Sequence, residues 1–131
     1  MNPLTVEWVQ KAEGDFISAR RELCARRYPN FDSCCFHSQQ CVEKYLKARL
    51  QEAALPFPRT HDLSDLLDLA LPIEPAWRLV RADLRLLAVF AVHLHYPGQT
   101  ASKQMAQDAF NRARSFRKLA RSSLVLATAE P

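Results

Sequence analysis

An all-α fold, an up-and-down bundle of four long helices plus one short helix, is predicted for this 131-residue chain by three observations. Apolar residues recur every three or four positions through four long stretches, the spacing that collects them on one side of an α-helix. Prolines fall between those stretches, where they stop or start helices. Only two glycines are present, too few for a series of tight hairpins. With 48% hydrophobic residues the chain suits one domain over residues 1–131, which at this size buries roughly two-thirds of its unfolded surface.

The first helix is expected over 5–27. Thr5 is its candidate N-cap, Glu7 adds negative charge near the start, and Trp8, Ala12, Phe16, Ala19 and Leu23 form its apolar stripe. Tyr28-Pro29-Asn30 ends it, because a proline disfavours helical geometry in the residue before it. Asp32 or Ser33 opens a second helix that runs to about Ala54, where Leu55-Pro56-Phe57-Pro58 stops it. A short third helix starts at Thr60 or His61, covers Asp62 to about Ala70 and ends at Pro72. Pro75 suits the first turn of a fourth, Ala76 to about Leu94, with Trp77, Val80, Leu84, Leu87 and Ala91 as its stripe. The Tyr96-Pro97-Gly98 turn follows. A fifth helix, Ala101 to about Leu126, presents Met105, Ala109, Ala113, Phe116, Leu119 and Ala120 inward and its arginines outward. Short connections favour antiparallel neighbours.

No apolar run approaches the roughly 20 residues that cross a bilayer, and the first residues lack the basic segment and apolar core of a secretory signal. A reducing cytoplasm is the expected compartment, with Cys24, Cys34, Cys35 and Cys41 as thiols, mostly small buried apolar residues. Cys34 and Cys35 point about 100° apart on a helix, and Cys34 and Cys41 lie about 10 Å apart along one. A zinc ion can take two of Cys34, His37 and Cys41 but not all three, so no metal or other cofactor is expected. The formal charge of +4 and pI near 9.1 lean mildly toward polyanions. The basic clusters at Arg20, Arg21, Arg26 and Arg27 and at Arg112, Arg114, Arg117, Lys118 and Arg121 read as solvated helix faces.

Residues 34–47 and the segment Phe57-Pro58-Arg59-Thr60-His61-Asp62-Leu63 carry the candidate chemistry. An apolar face of Cys34, Cys41, Tyr45 and Ala48 has Gln40, Glu43, Lys44 and Lys47 on its other faces, and the proline-bounded loop delivers His61. Glu43 and Lys47 are ordered for a helix-surface ion pair of a few tenths of a kcal/mol. This row and His61 outline a candidate polar groove on the helical frame. His93 and His95, two apart, diverge by about 200° on a regular helix and converge only if the helix ends between them.

This stretch resembles the HEPN family of small helical nucleotide- and RNA-associated domains. The family pattern, aromatic-x-x-Gln-Gln-Ala-x-Glu-Lys-x-Leu-Lys-Ala, then a gap and His-x-Leu, appears here as Phe36, Gln39, Gln40, Glu43, Lys44, Lys47, Ala48, His61 and Leu63. Trp8, Ala12, Asp15, Ala19, the Tyr96-Pro97-Gly98 turn, Ala106, Ala109 and Ala113 extend the similarity over nearly the whole chain. The resemblance implies a HEPN-like bundle, often a homodimer, and frequently a minimal nucleotidyltransferase partner in a toxin–antitoxin-like or accessory pair. It also implies either ribonuclease activity, in members with Arg-x(4–6)-His, or nucleotide or partner binding in those without it.

The chain departs from the pattern at His95-Tyr96-Pro97, where similar members read Arg-Tyr-Pro. Arg85 precedes His93 by seven intervening residues, 86–92, one more than the ribonuclease spacing. The leading expectation is a nucleotide- or RNA-binding module with Gln40, Glu43, Lys44, Lys47, His61, His95 and Tyr96 at the site. An imidazole titrating near about 6.5 is only partly cationic at neutral pH, so His95 should bind anions less well than arginine. The alternatives are a metal-independent ribonuclease toxin using Arg85, His93 or His95 in altered geometry, and a structural helical adaptor. Apolar residues on several faces of the fourth helix (Leu86, Leu87, Val89, Phe90, Val92) suit either a dimer contact or a central buried helix.

Overall fold

The computed structural model describes residues 1–94 and 96–131. Five α-helices, α1 (Pro3–Cys24), α2 (Phe31–Glu52), α3 (Leu63–Ala70), α4 (Arg81–His93) and α5 (Lys103–Ser123), build an all-helical bundle without strands among the described residues. A 3-10 segment, Pro75–Val80, leads into α4. The fold class is therefore the one that apolar periodicity and punctuation predict.

The ends differ from expectation by a few residues, for identifiable reasons. Asn2, not Thr5, caps α1, its side chain accepting from the Leu4 amide at 2.8 Å with Pro3 in the first turn, while Thr5 is buried inside the helix. Helix α1 stops at Cys24 because Ala25 turns extended, three residues before the expected end. Asn30 caps α2 by accepting from the Ser33 amide at 2.9 Å, and Asp32, the expected cap, instead accepts from the Ala101 amide before α5 at 2.6 Å. Asp62 rather than Thr60 or His61 caps α3, accepting from Ser64 and Asp65 amides. The predicted fourth helix is divided, since its first turn past Pro75 takes the tighter 3-10 form. Ser102 caps α5, which ends at Ser123 rather than Leu126 because Val125 adopts a left-handed φ of 58°.

Helix α2 is the hub, packing against each of the other four helices. Contacts from Asn2–Glu52 to Asp15–His37 run α1 antiparallel to α2, whereas Asp32–Ala101, Cys34–Ala106 and Tyr45–Arg121 run α2 parallel to α5. The core is filled by Phe16 stacked on Phe110 at 5.1 Å, Trp77 edge-on to Phe116 at 5.1 Å, and the stripe Leu63, Leu66, Leu67 and Ala70 of α3. Each buried aromatic or leucine contributes about 1.5–3 kcal/mol by leaving water. Ala106, Ala109, Ala113 and Ala120 of α5 are buried, and their small side chains let neighbouring backbones approach closely.

Several core expectations need correction, Trp8 among them, which is only half-buried. Leu119 is exposed, Met105, Val80 and Ala91 are only half-buried, and Arg117, expected to project outward, is buried. Cys34, Cys35 and Cys41 are buried, and desolvation pushes their thiols up, to about 11 for Cys34 and about 12 for Cys35. Cys24 departs from this pattern and is exposed.

Candidate functional site

A groove with a volume of about 860 Å³ lies between α2, α4 and the start of α3. Helix α2 lines it with Phe36, Gln39 and Gln40, and α4 with Arg85, Ala88, Val89, Ala91 and Val92; His61, Asp62 and Ser64 close one edge. The α4 residues 85, 88, 89 and 92 follow helical spacing, so one face of that helix forms the wall. A second hollow of about 400 Å³ shares Phe36 and Ala91 with the first and continues past Asn30, Ser33 and Leu94.

Glu43 organises the floor. Its carboxylate receives Lys47 Nζ at 3.1 Å and the amide nitrogens of Gln39 and Gln40 at 3.4 Å, with His61 Nδ1 at 3.1 Å. An ionised carboxylate only accepts, so this contact favours the tautomer with the proton on Nδ1 and leaves His61 Nε2 facing outward. Gln39 also donates to the His61 carbonyl at 3.4 Å and receives Gln40 Nε2 at 2.8 Å, which fixes the amides relative to the loop. Glu43 and Lys47, expected as a surface pair, are buried, and Lys47 also sits 5.3 Å from the Trp8 ring centre. The pair is thus a structural element whose rupture leaves an uncompensated charge, not a solvated contact worth tenths of a kcal/mol.

Lys44 turns away from the groove to Asp15 of α1 at 2.5 Å, where His37 Nδ1 also meets Asp15 at 2.7 Å. Of the sequence-derived phosphate-binding set, Gln40 and His61 line the groove, while Glu43 and Lys47 lie beneath it and Lys44 beside it. Tyr96 is exposed beyond α4 and does not line the groove, and His95 lies outside the described residues. His93 is the exposed last residue of α4, whereas Arg85 faces the groove with no carboxylate partner among the described residues. Eight helical positions separate them by about 12 Å along the axis, so they do not form a compact pair. Phe36, Gln39, Asp62 and Ser64 line the groove without having been singled out as site residues. The adjacent amides Gln39-Gln40 and the 85/88/92 spacing were the available signals.

A second network joins α1, α2 and α5. Arg117 donates to both Glu13 carboxylate oxygens at 2.7 and 2.8 Å, Tyr45 donates to Glu13 at 2.6 Å, and Arg121 donates to the Tyr45 hydroxyl at 3.0 Å. Burial disfavours the Glu13 anion, yet hydrogen bonds from Arg117 and Tyr45 and the nearby guanidinium charges hold its carboxyl below the usual 4.5. Desolvation and Glu13 together push the Tyr45 phenol up. Among the described residues no group of three or more histidine, cysteine, aspartate or glutamate side chains is arranged to hold a metal, and no helix is long and apolar enough to cross a membrane.

No curated protein and no solved structure matches the chain. A family model described as HEPN domain matches residues 5–123, spanning α1 to the last residue of α5. The chain therefore belongs to the HEPN family, a class of nucleotide- and RNA-associated helical modules.

Proposed function

We propose that the α2–α4 groove binds a nucleotide or a short RNA segment, and that the domain acts with a minimal nucleotidyltransferase partner in a toxin–antitoxin-like or accessory pair in the cytoplasm. The supporting observation is that Arg85, without a carboxylate partner among the described residues, and His61 line one groove whose wall also carries the apolar Phe36, Val89 and Val92 and the polar Gln39, Gln40 and Asp62. Arg85 takes the phosphate, His61 joins it when the imidazolium carries a proton on Nε2 as well as on Nδ1, Phe36 and Val92 offer an apolar surface for a base, and Gln40 supplies an amide. Glu43 and Lys47 act from behind by fixing His61 and the amides. A homodimer brings the exposed Val89 against a second copy at the groove margin.

Calorimetry with ATP and with a short oligoribonucleotide, at pH 6 and pH 8, tests this reading. Arg85→Ala is expected to weaken binding about 10- to 100-fold, the worth of a hydrogen bond to a charged group. Affinity unchanged by both Arg85→Ala and His61→Ala would remove the groove as the binding site. A stable complex with a partner protein and no nucleotide or RNA binding would leave the adaptor reading instead.

One observation favours a second reading. Arg85 and a carboxylate-anchored imidazole in the same groove are the charge stabiliser and proton-transfer group that metal-independent RNA cleavage requires, with His61 in place of His93 or His95. Growth arrest on expression, relieved by His61→Ala and by Arg85→Ala, would select the ribonuclease; relief by His93→Ala alone would return the role to the end of α4.

A further inference from the structure

Arg114, Arg117 and Arg121 recur at spacings of three and four, so they form one row along α5. The segment after α5 turns back along this row, and four successive residues of it are held. Arg121 Nε donates to the Ala127 carbonyl, and Arg117 donates to the carbonyls of Thr128 at 2.9 Å and Ala129 at 3.0 Å. Arg114 Nε pairs with the Glu130 carboxylate at 3.0 Å. Seven helical positions from Arg121 to Arg114 span about 10.5 Å, close to the roughly 10 Å that three extended steps from residue 127 to 130 cover. The row therefore matches an extended backbone.

Three features make this contact exchangeable. The reversal passes through Val125, a β-branched residue at φ 58° and 92% exposed, a backbone region such residues rarely occupy. Residues 127–131 are exposed, so polar contacts to the main chain and one carboxylate hold the segment with little apolar burial, the signature of low local stability. The row itself is set from behind, because Glu13 grips Arg117 through both oxygens and Arg117 is only 1% exposed. A receptor held independently of its ligand loses little order when the ligand changes.

We propose that the Arg114–Arg117–Arg121 row is a docking site for an extended peptide segment ending in an acidic residue, filled in cis by residues 127–130 and open to an acidic segment of a partner protein. Carbonyl recognition reads no side chain, so Glu130 is the one side chain the row selects. A peptide suits the row better than RNA, since Glu13 already neutralises Arg117 and leaves it as a fixed donor more than a free charge.

The test is fluorescence anisotropy with a labelled synthetic peptide of residues 124–131. It is titrated onto the unaltered chain, onto Glu130→Arg, which sets like charges against each other at Arg114, and onto Glu130→Arg with Arg114→Ala. Expected is binding to Glu130→Arg at least ten-fold tighter than to the unaltered chain, and at least ten-fold weaker again once Arg114 is removed. Equal binding to all three proteins, or no binding to any, overturns the proposal. So does binding of an oligoribonucleotide but not the peptide to Glu130→Arg. Amide exchange in the unaltered chain supplies an independent check: fast exchange at residues 126–130 supports displacement, and exchange as slow as in the α2 core overturns it.

Discussion

On the side of the bundle where α1, α2 and α5 meet, the central charges are paired with one another: Glu13 holds Arg117 and contacts Arg121, and Asp15 holds His37 and Lys44. On the α4 side, Arg85 faces a groove with no carboxylate partner among the described residues, and Val89 and Val92 remain exposed. The same residue types therefore stabilise one region and stay available in the other. Paired, buried charges are costly to break and keep little net charge for an anionic ligand, whereas a guanidinium held by no carboxylate keeps its charge and its donors and adds little to folding.

Arg117→Ala gives the largest expected effect. It leaves the Glu13 carboxylate half-satisfied under cover and should lower stability by about 3–5 kcal/mol in urea unfolding, with nucleotide affinity per folded molecule unchanged. A loss below about 1 kcal/mol would mean the clamp is no more than a surface pair. Arg85→Ala inverts the pattern, with the 10- to 100-fold binding loss given above and stability within about 0.5 kcal/mol of the unaltered chain. Were it to unfold the protein instead, the contrast between the two regions would collapse.

Glu13 sharpens the contrast through pH. Its carboxyl is depressed in the folded state, so around the ordinary value of 4.5 the unfolded chain binds more protons and stability rises with pH. The contribution is complete above the unfolded value and is lost as pH falls through the lower, folded one. Unfolding midpoints measured between pH 7 and pH 3 should drop less steeply for Glu13→Gln than for the unaltered chain, and parallel curves would contradict this. The smallest effect belongs to a cap: Asn30→Ala should cost about 1 kcal/mol by freeing the Ser33 amide, without altering ligand binding.

Much of the bundle was legible along the chain. Phe16, Leu84 and Phe116 announce buried faces by spacing, and Pro29, Pro58 and Pro97 mark the connections. Caps were placed a few residues off because several polar side chains compete at each end: Asp32, a good local cap, is drawn to Ala101 on the next layer. The site was legible in part. His61 and Gln40 do meet in a groove, but Lys44 and Lys47 are turned to Asp15 and Glu43. The resemblance to HEPN domains placed the block on α2 without saying which of its charges lack partners.

By itself the sequence determined the helices, their order and their apolar faces, because helical periodicity acts between residues three and four apart and needs no knowledge of the rest of the chain. Only the tertiary structure decided which charges are neutralised. Glu13 and Arg117 are separated by 104 positions, and their pairing depends on the angle and register at which α1 meets α5. The same packing left Arg85 without a carboxylate partner among the described residues, at the wall of a groove that a ligand can enter.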